Sequence, residues 1–393
     1  MAGFAVPTTP LRLALPTPHG ARRNNGRAKA RTQDNRIHNR SLILSILFHE
    51  GARSRADLSR QSGLTAPTVS ALVAELEADG LVADTGPRQE PGRRRGKPST
   101  VVEIQDDAVN HVVLDLSERN HFRGAVTNLR GEVVERAHVP LAGAVGDTAK
   151  ELVFSLAADL LDRANQRVLG IGVSSPGIVD DSGVVRQAAH LGWHEWPLAA
   201  QLADRFGVPA YVGNDVNVSA LAVLHFRKTQ AQSLMVITIE HGVGAGLIVD
   251  GLLVEGEQFA AGEIGHITVD ENGEMCVCGR TGCLDPLIDA TRLRNRLAAA
   301  PAAEHTEILA TAGRALGTVI APIACALNLS EIVITGPSDL IEGPLLTAAN
   351  ATAQTRTLSP ISASLRIRAL AGDTELNMLG AVCLVLAGEL GVL

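Results

Sequence analysis

The sequence predicts an α/β body of two similar lobes around a cleft, preceded by a small helical head. Three observations carry that prediction. Short β-branched runs alternate with helical ones beyond residue 106, and the plan repeats once. Two capped helices joined by a tight turn lie before residue 80. Charge divides between the two regions: residues 1–105 hold 16 Lys or Arg against 9 Asp or Glu (+7), the remainder 19 against 33 (−14). A basic head on an acidic body directs a polyanion to the head alone. At 393 residues the chain also exceeds what one core usually organises, so two or three domains are expected.

Residues 1–33 read as a disordered basic tail. Residues 4 to 17 are apolar, but prolines at 7, 10 and 16 interrupt them and no clean small-residue cleavage site follows a basic start, which argues against a signal peptide. The head is expected over 34–105. Ile37, Leu42, Ile43, Ile46 and Leu47 form the apolar stripe of a first helix. Ser54 caps a second helix that Gly63 ends, and Thr65 caps a third that Gly80 terminates. Val69, Leu72, Val73 and Leu76 face one way on that third helix, while Pro67, Ser70, Ala71 and Ala74 face the other. This is a helix-turn-helix whose second helix enters the major groove by its N-terminal end, with Thr65, Pro67, Thr68 and Ser70 as candidate DNA contacts. Such small side chains read few bases, so affinity is expected from the basic tip of a hairpin wing between Leu81 and Ile104, where Arg93, Arg94, Arg95 and Lys97 suit phosphates.

The body is expected over 106–393, with one lobe at about 106–212 plus a C-terminal helix (375–393) and the other at about 213–374. Strands end at Ser174-Ser-Pro-Gly177 and at Gly213-Asn-Asp-Val-Asn217. Ligands of such sheets bind beyond the carboxyl ends of strands, which places Asp215 at the cleft. No stretch of about twenty apolar residues is free of charges or helix breakers.

From Gly262 to Pro286 the chain carries its densest chemistry. His266, Cys276, Cys278 and Cys283 place one imidazole and three thiols within eighteen residues, the closed set that tetrahedral structural zinc takes. Zinc is the cofactor expected, stapling a loop rather than holding a reactive water. The other two cysteines, Cys325 and Cys383, lie in apolar helical runs and read as buried thiols, which fits a reducing, cytoplasmic setting.

These motifs resemble the ROK family (repressors, open reading frames and kinases) over residues 36–393. The most specific parts are Glu263-x-x-His266 with Cys276-x-Cys278-Gly-x-x-Gly-Cys283; Gly177, Leu191-Gly-Trp193 and Asn214-Asp215-x-Asn217 support them. The resemblance implies actin-like (ribonuclease H-like, hexokinase-type) lobes, a winged helix-turn-helix in the repressor branch, and a sugar held by Asn214, Asp215, Glu263 and His266. Asp285 stands where the family usually has Glu, and His190 where it often has Asn; both are further candidate ligands. Carboxylates and amides suit a sugar because they accept from and donate to neighbouring hydroxyls.

The nucleotide half departs from the family's kinases. Their Asp-x-Gly-Gly-Thr is here Asp115-Leu-Ser-Glu-Arg119, their second glycine loop is Glu240-His-Gly-Val-Gly-Ala-Gly246, and their Gly-Gly is Gly336-Pro337. Glu118 and Glu240 thus stand where ATP phosphates would sit. The expectation is a sugar-responsive DNA-binding regulator, a repressor and a homodimer or higher oligomer, acting on a duplex operator with a sugar or sugar phosphate as effector. The alternative is an active ATP-dependent sugar kinase with an appended head, using Asp215 as general base.

Overall fold

The structure, a computed structural model, describes residues 27–87, 100–227 and 229–393. The tail expected over 1–33 lies outside the described residues as far as 26; from Arg27 the chain is helical rather than disordered. In the head, α1 (Arg27–Glu50), α2 (Arg55–Ser62) and α3 (Ala66–Ala78) pack with a three-stranded sheet of β1 (Arg53–Ser54), β2 (Val82–Pro87) and β3 (Thr100–Ile104), ordered β1-β3-β2. The caps are those read from the sequence: Ser54 accepts from the Asp57 N–H, Thr65 from the Thr68 N–H, and Gly63 ends α2 with φ 71°. Gly63 suits that left-handed position because it lacks a Cβ. Ile37, expected in the apolar stripe, is instead exposed, whereas Ile43, Ile46 and Leu47 are buried.

Lobe 1 is built from β4 (Asn110–Asp115), β5 (His121–Thr127), β6 (Val133–Pro140), α4 (Gly146–Arg163) and β7 (Val168–Ser175). A small sheet of β8 (Ile178–Val179), β9 (Val185–Ala188) and β10 (Trp193–Trp196) follows, then α5 (Leu198–Phe206) and β11 (Ala210–Asn214). The main sheet is ordered β11-β7-β4-β5-β6, an antiparallel meander extended by two parallel strands. After α6 (Asp215–Phe226), lobe 2 repeats that plan with β12 (Leu234–Ile239), β13 (Val243–Val249) and β14 (Leu252–Leu253). The loop to Cys283 leads into α7 (Leu284–Ile288), α8 (Ala290–Ala299) and the long apolar α9 (His305–Leu327). β15 (Glu331–Gly336), α10 (Ser338–Ile341), α11 (Pro344–Arg356), α12 (Ser359–Ser364) and β16 (Arg366–Ala371) complete a sheet ordered β14-β13-β12-β15-β16. Two meanders with two parallel strands apiece are the duplicated actin-like fold.

The C-terminal α13 (Leu376–Val385), continued by one wider turn over Leu386–Leu390, returns to lobe 1. Between the two sheets lie α6 and α13, touching closely because glycines line the contact. A Cβ on Gly380 would stand 2.2 Å from the Val218 carbonyl oxygen, and one on Gly246 of β13 would stand 2.6 Å from that of Val216. The head is not a separate body. Ile43, Leu44, Leu47 and Phe48 share one core with Met378, Val382, Val385, Leu390 and Val392. Arg130 reinforces the seam, donating from Nη1 to the Phe48 carbonyl (2.5 Å), lying 4.4 Å from the Phe48 ring centre and pairing with Asp106. Phe48 in turn meets Phe226, the last residue of α6, edge to face at 6.4 Å.

Candidate functional site

A cleft of about 710 Å³ opens between the lobes, lined by the ends of β4, β7 and β11, the start of α6, the β12–β13 turn and the cysteine loop. It brings together His190, Asn214, Asp215, Glu263, His266 and Asp285, the whole expected ligand set. Their roles divide on geometry. Asn214 caps α6: its Oδ1 accepts from the N–H groups of Val216 and Asn217, and its Nδ2 donates to the Gly177 carbonyl (2.8 Å) and to Asp215 Oδ1 (3.0 Å). With its amide so engaged, Asn214 positions Asp215 more than it offers groups of its own. Asp215 Oδ1 also accepts from the Val216 N–H (2.9 Å). Burial, then the neighbouring charge of Asp115, push this carboxyl up to about 7.

Asp285, buried, accepts through Oδ1 from the Val243 N–H (2.9 Å), tying the end of the cysteine loop to β13, and burial again raises its pKa. Glu263 is exposed, its Oε2 lying 3.8 Å from His266 Nε2. The other ring nitrogen, Nδ1, faces Cys276 Sγ at 3.4 Å, while Cys278 Sγ and Cys283 Sγ are 3.7 Å apart. All four candidate ligand atoms fall within 4.8 Å of one another. A zinc tetrahedron with bonds of about 2.3 Å to sulfur has S···S edges of about 3.8 Å, so the donor set fits that metal. A hydrogen bond from the Arg280 backbone N–H lowers the Cys278 thiol to about 6, and the Arg280 side chain adds to it.

A second network, beyond the expected ligand set, lies at the floor of the cleft. Asp115 and Arg123 are cross-strand partners of β4 and β5, and the buried Asp115 carboxylate takes both Nε and Nη2 of Arg123 through Oδ2 (2.9 and 2.7 Å). Asn377 of α13 donates to Asp115 Oδ1 (3.3 Å) and Ser117 Oγ (2.9 Å), and Ser219 of α6 donates to Asn377 Oδ1. Asp115 belongs to the first phosphate-loop motif, but nothing local marks Arg123, Ser219 or Asn377; only strand register and the packing of α6 against α13 bring them to it. Above the floor, Arg119 Nη2 donates to the His241 carbonyl (3.1 Å), so the β4–β5 and β12–β13 turns touch across the cleft. Ser117, Glu118 and Glu240 of these turns carry side chains where the family's kinases have glycine, while Gly242, Gly244 and Gly246 are kept.

On the head, Thr65, Pro67 and Ser70 are exposed at the N-terminal end of α3 and Thr68 is half-buried beside them. Arg93, Arg94, Arg95 and Lys97 lie outside the described residues; the strands that flank them, β2 and β3, pair antiparallel as a wing requires.

A winged helix-turn-helix joined through one core to a two-lobed cleft body is the build of a DNA-binding protein with a ligand domain. The chain belongs to the ROK family, which it matches over residues 118–387, and it matches "Winged helix-turn-helix DNA-binding" over residues 38–83. It is 32% identical over 253 residues to the putative xylose repressor of Caldicellulosiruptor sp. (strain Rt8B.4), covering 63% of this chain and 62% of that protein. It is 27% identical over 360 residues to the DNA-binding transcriptional dual regulator NagC of Escherichia coli (strain K12), covering 84% of this chain and 87% of NagC. In structure it resembles a ROK family transcriptional regulator described as a homolog of the E. coli MLC protein, with a TM-score of 0.78 at 23% identity over 91% of this chain and 98% of that one. That likeness carries the fold, head included.

Proposed function

We propose that the chain is a sugar-responsive transcriptional regulator, a repressor, whose cleft binds a sugar without phosphorylating it. The observation that carries this reading is the state of the two phosphate turns. Arg119 bridges the two turns through the His241 carbonyl, and Glu118 and Glu240 of the same turns line the cleft, where their carboxylates would repel a triphosphate. The similarity to proteins named xylose repressor and to NagC supports the same conclusion. A sugar would meet Asp215, Glu263, His266 Nε2 and the free oxygen of Asp285. His266, Cys276, Cys278 and Cys283 would hold zinc through Nδ1 and three thiolates, orienting the imidazole and fixing the loop that carries Glu263.

The route from cleft to DNA is short. At its N-terminus α6 carries Asp215 and at its C-terminus Phe226, which packs on Phe48 of the head. A ligand that draws Asp215 toward lobe 2 shifts both ends of one rigid helix. A differential affinity of about a hundredfold, near 2.7 kcal/mol, suffices to move a regulator held near balance. The protein acts as a homodimer in the cytoplasm, with paired α3 helices in successive major grooves of a roughly palindromic operator.

The test pairs a coupled ADP-release assay with operator titration over one panel of sugars. An effector that shifts operator affinity with no ADP release is the expected result. Robust sugar-dependent ADP release, abolished by Asp215→Asn, would establish the kinase instead.

A further inference from the structure

The helix α13 begins where three parts of the molecule meet. Leu376 is buried in a core of lobe 2 with Val236 of β12 and Val333 of β15. Met378 is buried in the core that lobe 1 shares with Ile43, Leu47 and Phe48 of the head. Between them Asn377 lines the cleft, where its amide donates to Asp115 Oδ1 (3.3 Å) and Ser117 Oγ (2.9 Å) and its Oδ1 accepts from Ser219. Ser219 Oγ also lies 2.9 Å from the carbonyl oxygen of Asp215. A single side chain therefore joins the end of β4, the turn after it and the start of α6.

Farther along, α13 is held firmly to lobe 1. Cβ atoms added at Gly172 and Gly170 of β7 would stand 2.2 Å from the Ala381 carbonyl oxygen and 2.8 Å from the Val385 side chain, so the helix lies directly on the sheet. Its start is held differently. It follows β16 of lobe 2 after four residues, and Glu375 at its N-cap makes no side-chain capping bond. An uncapped first turn leaves N–H groups without partners and frays readily. A frayed turn would absorb movement of lobe 2 against lobe 1 before that movement reached the head.

We propose that Asn377 is a positioning residue, a clasp that fastens the first turn of α13 to lobe 1 and to α6, so that closure of the lobes on an effector is passed to α1 of the head instead of being lost at the junction. The inference rests on the reading of the cleft as an effector site. Asn377 acts without touching the effector, because its donors and its acceptor are committed to Asp115, Ser117 and Ser219. What it supplies is stiffness at the turn where lobe 2 joins the core beneath the head.

The experiment uses the full-length protein, a duplex selected for binding by the wild type, and a panel of xylose, glucose, N-acetylglucosamine and their monophosphates. Effector affinity is read by calorimetry, and duplex affinity is measured with and without effector. Asn377→Leu keeps the bulk and removes the bonds; it should cut the effector-induced change in duplex affinity at least about tenfold, with effector affinity and effector-free duplex affinity each within about twofold of wild type. Ser219→Ala removes the bond to α6 alone and should cut the change at least about threefold, so it decides the matter if Asn377→Leu melts below the wild type. Asn377→Asp sets an acceptor against Asp115 and should uncouple the protein at pH 8. One proton shared between the two carboxylates restores a donor, so coupling in this variant, taken relative to wild type at the same pH, should recover at pH 6. Arg123, Asp215, Glu118 and Glu240, the other charged groups around this floor, are common to both proteins and cancel in that ratio. A full response in Asn377→Leu, or no recovery of Asn377→Asp in acid, would overturn the clasp and leave the sensor reading standing. Effector affinity falling in step with the response would make Asn377 an effector contact and overturn the positioning role. If no sugar alters duplex affinity in the wild type, the sensor reading falls and the clasp falls with it.

Discussion

Replacing Asp215 by Asn should make the protein more stable at alkaline pH and hardly change it in acid. The carboxyl is pushed up to about 7 in the fold, by burial and then by Asp115, against an ordinary value of 3.8. A folded-state pKa above the unfolded one means that the folded protein holds its proton longer. Stability is therefore highest below pH 4 and falls as pH rises toward 7, where the full penalty is reached. The shift of about three units corresponds to a ceiling of about 4 kcal/mol at 1.36 kcal/mol per unit. Because the side chain keeps some contact with solvent, we expect about half, roughly 2 kcal/mol at pH 8, shrinking to about a third of that by pH 5. Both hydrogen bonds received by Asp215 land on Oδ1, so an asparagine oxygen keeps them. With an unfolding entropy of about 2.1 cal/mol/K per residue, a cooperative transition of the whole chain converts 2 kcal/mol into a rise of roughly 2–3 °C. The assay is thermal unfolding of wild type and variant at pH 4.5, 6, 7 and 8. A gain of equal size at pH 4.5 and pH 8, or a loss at pH 8, would refute the argument that burial and like charge set this carboxyl.

Metal analysis should find about one zinc per chain after dialysis, and Cys276→Ser should lose it together with the effector response, since structural zinc sites need all four ligands; full occupancy in the variant would contradict the ligand set. Phe226→Ala should cut the effector-induced change in operator affinity at least about fivefold while leaving effector binding within about twofold, because it removes the contact between α6 and the head and not the cleft. An unchanged response would place the coupling elsewhere. Replacing Arg93, Arg94 and Arg95 together by Ala should flatten the salt dependence of operator binding by up to about three units of log–log slope. An unaltered slope would mean that these arginines do not meet phosphate.

Much of this was legible from the chain because it is encoded locally. Ser54, Gly63 and Thr65 bracket their helices by capping chemistry that a few residues specify, and the cysteine loop announces itself by ligand type and spacing. α6 was not legible. Asp215–Phe226 buries Val218 and Ala220 as well as Ala222 and Val223 between two lobes, and a helix apolar on every side has no 3.6-residue alternation to find. Asn214, a ligand by resemblance, also caps that helix and lines the cleft, a second role the sequence did not show. Asp115 with Arg123, and Asn377 with Ser219, depend on strand register and on a helix that returns from far along the chain. The joining of head to body draws on residues from 82 positions apart, Phe48 and Arg130, to more than 300 apart, α1 and α13, and no window on the sequence spans such distances.

The same joining has a consequence for synthesis. The head's apolar face, Ile43, Leu44 and Leu47, leaves the ribosome first, but Met378, Val382 and Val392, which complete its core, follow roughly 330 residues later. At a translation rate of about 5–20 residues per second, that face waits on the order of 15–70 s for its cover. Nascent chains halted within lobe 2 carry a helix-turn-helix whose supporting helix rests on the head and on lobe 1 but lacks the part of its core that α13 supplies.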